Sequence, residues 1–158
     1  MLKGVFGLEN PRDLLAKLRH DFLLLQRSPF DPYLAYNFFV TAEHMLDWLY
    51  PGNTNRSQRE SLRSSEVLLQ ITSHLASGAK HFTALSNHHK SVSGSTPSAG
   101  WFPRNYFPKG FFPTGYFGQG TLIVHLEGEA QASLGAAIMA VDLAERVLAY
   151  WEAPGRIV

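Results

Sequence analysis

Three histidines are spaced as they would be if they shared one site. His74 and His81 are seven residues apart, on one face of a helix, and His44 lies on an earlier apolar segment that could pack against it. Imidazoles with a nearby carboxylate, here Asp47 or Glu43, are typical ligands of metal sites inside helical bundles. One prediction is therefore a catalytic cluster of His44, His74, His81 and Asp47 that is covered by an aromatic segment. A divalent metal is the cofactor that such a cluster could bind.

The same histidines have a structural interpretation, in which they belong to two polar lines on neighbouring helices. Buried polar groups must be hydrogen-bonded, so two opposed lines would satisfy each other or enclose a site. This interpretation is favoured, because the Glu-x-x-His pairs that mark carboxylate metal sites in bundles are absent. The lines consist of Asn37, Thr41 and His44 on one helix and Gln70, His74, Ser77 and His81 on the next.

A second chemical feature is an aromatic repeat, which we call the aromatic segment, at residues 101–118. An aromatic-Phe-Pro triplet recurs every five residues and Gly or Asn closes each unit, which predicts a run of tight turns. Exposed rings could stack on bases or sugars while basic side chains hold phosphates. The alternatives are rings tucked under the loop as a lid, favoured for at least half of them, or a patch that binds a protein. The stacking candidates are Trp101, Tyr106, Phe111 and Tyr116, with Arg104 and Lys109.

Acidic residues are absent from the middle of the chain. The net charge is only +1, yet residues 67–126 contain no Asp or Glu, four Lys or Arg and five of the seven histidines. This predicts a mildly basic surface that could meet an anion. Four basic residues are fewer than the six or more phosphate contacts that are common in nucleic-acid-binding proteins.

The helices that must position these residues are marked by their capping signals. Asn10-Pro11 and Asp31-Pro32 predict the starts of the first two helices, the second running over residues 33–50. A capping box of Ser57 and Glu60 predicts a third helix that continues to about residue 85. A long connection over residues 86–120 follows. The C-terminal elements are a strand over 121–126, a turn at 127–128 into a second strand over 130–133, and a last helix over 136–152.

These elements predict a single mainly α domain, residues 1–158, in which an up-down bundle of four main helices carries a small β-hairpin and the long aromatic loop. The chain has no cysteine, which excludes thiolate metal sites and cysteine nucleophiles and fits a reducing compartment. No apolar run is long enough for a signal peptide or a membrane span. We therefore expect a cytoplasmic protein without a membrane partner.

Two stretches resemble small bacterial helical proteins that are similar in layout to the HEPN superfamily. They are residues 35–48, AYNFFVTAEHMLDW, and residues 74–82, HLASGAKHF. The resemblance covers roughly residues 31–85 and implies a bundle of four or five helices that is often a dimer. In many members it also implies RNA cleavage in toxin or defence systems through an Arg-x4-6-His motif. No arginine stands five to seven positions before any histidine here, so that catalytic pair is not carried over.

The sequence as a whole favours a non-catalytic binding or interaction protein of HEPN-like type. Its expected partner is a nucleic acid or a protein, bound through residues 86–120, in a toxin-antitoxin or defence context, and a homo-oligomer would fit the resemblance. The alternative is a hydrolase or nuclease, metal-dependent or not, that uses His44, His74 and His81, with Asp47 orienting one imidazole.

Overall fold

Helices make up most of this fold, and a small three-stranded antiparallel sheet completes it. The computed structural model describes residues 4, 6–81, 90–98 and 120–157, with backbone only at 79–81. The helices are α1 (Pro11–Arg27), α2 (Pro32–Leu49), α3 (Arg56–Ser65), α4 (Val67–His81), α5 (Gly128–Leu134) and α6 (Ala140–Glu152), and the strands are β1 (Val92–Ser98), β2 (Thr121–Leu126) and β3 (Ala137–Met139).

The predicted starts of the first two helices are confirmed. Asn10 accepts hydrogen bonds from the N–H groups of Arg12 and Asp13, and the Asp13 carboxylate accepts one back from the Asn10 N–H. Asp31 caps α2 in the same way, through the N–H groups of Tyr33 and Leu34. These side chains satisfy amides that the first helical turn leaves without partners, which fixes where each helix begins.

Helix α2 lies at the centre of the hydrophobic core. It packs against α1, α4 and α6, which explains why its sequence is apolar on most faces. The core joins side chains from all four of these helices and from β2. Its fully buried members include Leu18 and Leu25 of α1, Phe38, Met45 and Leu46 of α2, Leu69 and Ile71 of α4, and Leu143 and Val147 of α6.

The predicted third helix is wrong as a single element, because it is two helices that meet at Glu66. Glu66 has an extended backbone, with φ −126° and ψ 111°, and its carbonyl accepts the N–H groups of Leu69 and Gln70 at the start of α4. Just before it, the hydroxyls of Ser64 and Ser65 bond to carbonyls of the preceding turn. Serine side chains that bond locally to the backbone weaken a continuing helix.

The helix start predicted from the capping box is also corrected. A 3₁₀ turn, Asn53–Asn55, leads directly into α3 at Arg56, so Ser57 lies inside the first helical turn and does not cap it. Asn55 instead donates its side-chain N–H to the carbonyl of Pro51, which closes the turn after α2. The start of α3 is thus decided by the turn before it.

The C-terminal hairpin is wrong in its second strand, because residues 128–134 form α5. Its sequence, GEAQASL, is rich in strong helix formers, and Gly128 supplies the left-handed φ of 57° that redirects the chain after β2. The strand that pairs with β2 here is β3, where Ile138 lies opposite Val124. The last helix therefore begins at Ala140, four residues later than predicted.

Strand β1 lies inside the predicted long connection. It pairs antiparallel with β2, from Val92 opposite Leu126 to Ser98 opposite Thr121. The sequence of β1, VSGSTPS, has the composition of a loop, so the strand depends on its long-range partner. The strand order β1-β2-β3 makes β2 central, and Leu122 at its start donates its N–H to the carbonyl of Pro29 in the α1–α2 turn.

Among the residues with described structure, no helix is both long enough and apolar enough to cross a membrane.

Candidate functional site

His74 is held by the backbone at the start of β1. Its Nδ1 atom lies 3.1 Å from the N–H nitrogen of Val92 and 3.4 Å from that of Ser91. A backbone N–H can only donate, so Nδ1 is the acceptor and a neutral ring carries its proton on Nε2. The buried Ser91 hydroxyl lies 3.3 Å from the same Nδ1. His74 thus joins α4 to the sheet, and these partners lie at the start of β1 and not on α2, where the structural interpretation expected them.

The other members of the predicted cluster have different surroundings. His44 is exposed on α2. Asp47 is exposed as well, and its Oδ1 lies 3.2 Å from Nε of Arg59. The side chain of His81 lies outside the described residues. Within the described part of the chain, no three His, Asp or Glu residues are close enough to hold a metal ion, and the four-residue cluster stays a prediction.

Thr41 and His74, which belong to different polar lines, form hydrogen bonds to different elements. Thr41 of α2 turns to α1, where its hydroxyl donates to Asp21 over 2.7 Å and accepts from Lys17 over 2.8 Å. Lys17 also lies 2.5 Å from the Asp21 carboxylate. Thr41 and Asp21 are buried, so this triangle places a charged network in the α1–α2 interface. His74, in contrast, turns to β1.

The carboxylates of α2 that the sequence offered as metal ligands bind arginines of α3. Glu43 lies 2.5 Å from Nη2 of Arg63, and Asp47, one turn later in α2, pairs with Arg59, one turn earlier in α3. Burial raises the pKa of Glu43, while Arg63 and a hydrogen bond from Ser73 of α4 oppose that rise. These two pairs are structural ties between α2 and α3.

The aromatic segment connects the paired ends of β1 and β2. Ser98 lies opposite Thr121, so the two ends of the intervening chain leave the sheet side by side. They do so next to the α1–α2 turn, because Leu122 is bonded to Pro29. The described residues thus define where the chain leaves and re-enters the sheet, and the stacking candidates at 101–116 lie outside them.

Two tyrosines at the start of α2 are exposed, a few residues after the α1–α2 turn that contacts β2. Tyr33 is 79% exposed and Tyr36 is 48% exposed, and three-residue spacing places them on one face of α2. Tyr33 is four residues from Pro29, which contacts β2. We call this region, made of the α1–α2 turn, Tyr33, Tyr36 and the paired ends of β1 and β2, the aromatic end. The sequence interpretation missed the two tyrosines, because a helix that is apolar all round hides which face is solvent-exposed.

No family model, no curated protein and no solved structure matches the chain.

Proposed function

We propose that this chain is a non-catalytic binding protein whose ligand contacts the aromatic end. The observation that carries the proposal is the attachment of the aromatic segment between the paired residues Ser98 and Thr121, at a strand end that is bonded to the α1–α2 turn, after which two exposed tyrosines follow in α2. In this proposal the eight aromatic rings of the segment lie with those of Tyr33 and Tyr36 at one end of the molecule. Aromatic side chains concentrated in this way are typical of binding surfaces.

Single-stranded RNA is the ligand that this chemistry favours. Bases stack on aromatic side chains whatever their sequence, and Arg104 and Lys109 lie between the ring triplets, where they would meet phosphates. Residues 67–126 contain no Asp or Glu, so no carboxylate of this stretch would repel the phosphate backbone of the RNA. The proposed HEPN-like relationship points to the same ligand class, in a toxin-antitoxin or defence context in the cytoplasm.

In this proposal the helices are a scaffold. The four longest, α1, α2, α4 and α6, would form the up-down bundle of the sequence prediction, and β1 and β2 would present the aromatic segment from it. His74 would have a structural role, because its Nδ1 atom accepts a hydrogen bond from the backbone N–H of Val92 in β1. Self-association of two such chains would double the aromatic surface.

The test is a titration of fluorescently labelled single-stranded RNA, read by anisotropy over a salt series from about 50 to 200 mM. We expect saturable binding that weakens as salt rises. Trp101→Ala and Tyr106→Ala should each weaken binding about ten-fold, because one stacked base contributes roughly 1–3 kcal/mol. Tyr33→Ala should weaken it in the same direction.

The matched control is Phe6→Ala. Phe6 is fully exposed and precedes α1, whereas the aromatic end follows that helix, about 25 Å away along its axis. RNA binding should therefore be unchanged in Phe6→Ala. Absence of titratable affinity at low salt would refute the RNA ligand. A large loss of thermal stability in Trp101→Ala would identify the rings as a lid. Cleavage of the RNA that is lost in His74→Ala would favour the histidine-based nuclease.

A further inference from the structure

The exposed side of α1 is basic and carries no carboxylate. Its exposed residues recur every three or four positions, so they lie on one face, which we call the outer face of α1. Among the helices with described exposed side chains, α2, α3, α5 and α6 each expose at least one Asp or Glu, and α1 is the exception. The outer face consists of Arg12, Ala16, Arg19, His20, Leu23, Gln26 and Arg27.

The two carboxylates of α1 are both used within the fold. Asp13 accepts the N–H groups of Glu9 and Asn10 at the start of the helix. Asp21 is buried and accepts hydrogen bonds from the Thr41 hydroxyl and the Lys17 ammonium group. The outer face is therefore left with one sign of charge, and a face of this kind attracts anions.

One carboxylate of another helix contacts the outer face. Glu152 of α6 lies 2.5 Å from Nε of Arg19. The side chain of Arg19 is 52% exposed and that of Glu152 is 37% exposed, and an ion pair as exposed as this is weak because solvent screens it. A guanidinium group has five N–H donors, so a phosphate can bind Arg19 without displacing Glu152.

The outer face starts near the aromatic end and leads away from it. Arg27 is two residues before Pro29, whose carbonyl accepts the N–H of Leu122 at the start of β2. Arg12 is fifteen residues before Arg27, which corresponds to about 22 Å along the helix axis. With Arg19 between them, the arginines form a row with steps of about 10–12 Å.

We propose that the outer face of α1 binds the phosphate backbone of a single-stranded RNA whose bases stack at the aromatic end. This inference rests on the proposed function and adds a second surface to it. A strand held by stacking also needs cations along its backbone, and residues 67–126 supply four. The three arginines of the outer face bring the number to seven, which exceeds the six or more phosphate contacts that are common in nucleic-acid-binding proteins. Phosphate contacts do not depend on base sequence, so this surface recognises a strand of any sequence.

The test compares two fluorescently labelled probes of about 16 nucleotides, an oligouridine RNA and an abasic chain that keeps the sugar-phosphate backbone and lacks the bases. Both are titrated by anisotropy in about 50 to 200 mM salt. The α1 variant combines Arg12→Gln with Arg27→Gln and leaves the contact between Arg19 and Glu152 in place. Its matched control combines Arg56→Gln with Arg146→Gln, which removes the same charge from exposed arginines of α3 and α6.

We expect the α1 variant to bind RNA about ten-fold or more weakly at the lowest salt concentration, because two phosphate contacts are lost. The plot of log K against log[salt] should become less steep by about 1.4, since each contact to a single strand contributes about 0.7. The abasic chain should bind the unmodified protein more weakly than RNA does and lose most of this affinity in the α1 variant. Trp101→Ala should bind the abasic chain as the unmodified protein does, and the control variant should retain both affinities.

Equal salt slopes for the α1 variant and its control would overturn this inference, while RNA binding that still depends on Trp101 would leave the proposed function standing. The opposite result is an abasic chain that binds through Arg12 and Arg27, together with RNA that binds no more tightly than this chain and is unaffected by Trp101→Ala. That result would refute stacking at the aromatic end and support the outer face of α1. If neither probe binds, both proposals are wrong.

Discussion

Asp21 is a charged residue on the apolar, buried face of α1. It lies on the face of α1 that carries Leu14, Leu18 and Leu25, and it is as buried as they are. A carboxylate is tolerated there because the Thr41 hydroxyl and the Lys17 ammonium group both bind it. The α1 sequence indicates that Asp21 has a partner, since a charge on an apolar helix face must be paired or hydrogen-bonded. The partner itself, on α2, could not be read from sequence.

We predict that Thr41→Val destabilises the protein by about 1–3 kcal/mol, although valine has nearly the shape of threonine. The variant removes the hydroxyl that donates to Asp21 over 2.7 Å and leaves the buried carboxylate with fewer partners. Urea denaturation measures the change. Thr54→Val, at an exposed position in the 3₁₀ turn, is the control and should change stability by less than about 0.5 kcal/mol. Equal effects would show that the network contributes nothing.

We predict that Glu43 makes stability depend on pH in the mildly acidic range. Burial raises the pKa of Glu43 in the folded state above the ordinary 4.5. At pH values between 4.5 and this raised pKa, the folded state therefore binds more protons than the unfolded chain. The free energy of unfolding from this group therefore falls as pH rises through that interval. Glutamine does not titrate, so the stability of Glu43→Gln relative to the unmodified chain should increase with pH.

Urea denaturation at a series of pH values tests this prediction, because contributions of the other titrating groups cancel in the difference between the two proteins. Glu145→Gln, on an exposed face of α6, is the control. Its difference from the unmodified chain should stay flat over the same interval. A flat difference for Glu43→Gln as well would contradict the raised pKa.

Among the elements, α3 is held differently from the rest of the fold. None of its residues is buried, and Leu62 is its apolar contact with the core. Arg59 is 15% exposed and contacts Asp47 as well as the carbonyls of Tyr50 and Gly52. Arg63 binds Glu43. The sequence indicated a helix here, but the two arginine–carboxylate pairs were not predicted, because they join residues of separate helices.

We predict that Arg59→Ala increases amide exchange across α3 before the protein unfolds globally. The variant removes three contacts between α3 and the end of α2, and hydrogen bonds to charged groups contribute about 1.5–3 kcal/mol each. Hydrogen-exchange mass spectrometry measures this. Arg56→Ala is the control, since its pair with Glu60 is exposed and lies within α3. If α3 exchanges equally in both variants, the helix does not depend on Arg59.

At the scale of the whole molecule, short stretches of sequence correctly predicted features that are set by neighbouring residues. Side-chain caps at Asn10 and Asp31 gave two helix starts, and alternating residues gave β2. Two failures were misread local signals, namely the helix break at Glu66 and the short helix α5, and the others depend on contacts distant in sequence. β1 is a strand because β2 and His74 bind it, and β2 pairs with β3 across a short helix. The direction in which His74 and Thr41 point was undetermined for the same reason, so the predicted histidine site could not be assembled from spacing alone.

The pairing of Ser98 with Thr121 has a consequence for how this chain can change over time. Because the sheet already holds both ends together, lengthening the stretch between them costs little conformational entropy, and each doubling costs only about 0.6 kcal/mol. The stretch between them can therefore change in length and in aromatic content at little cost to the buried interior.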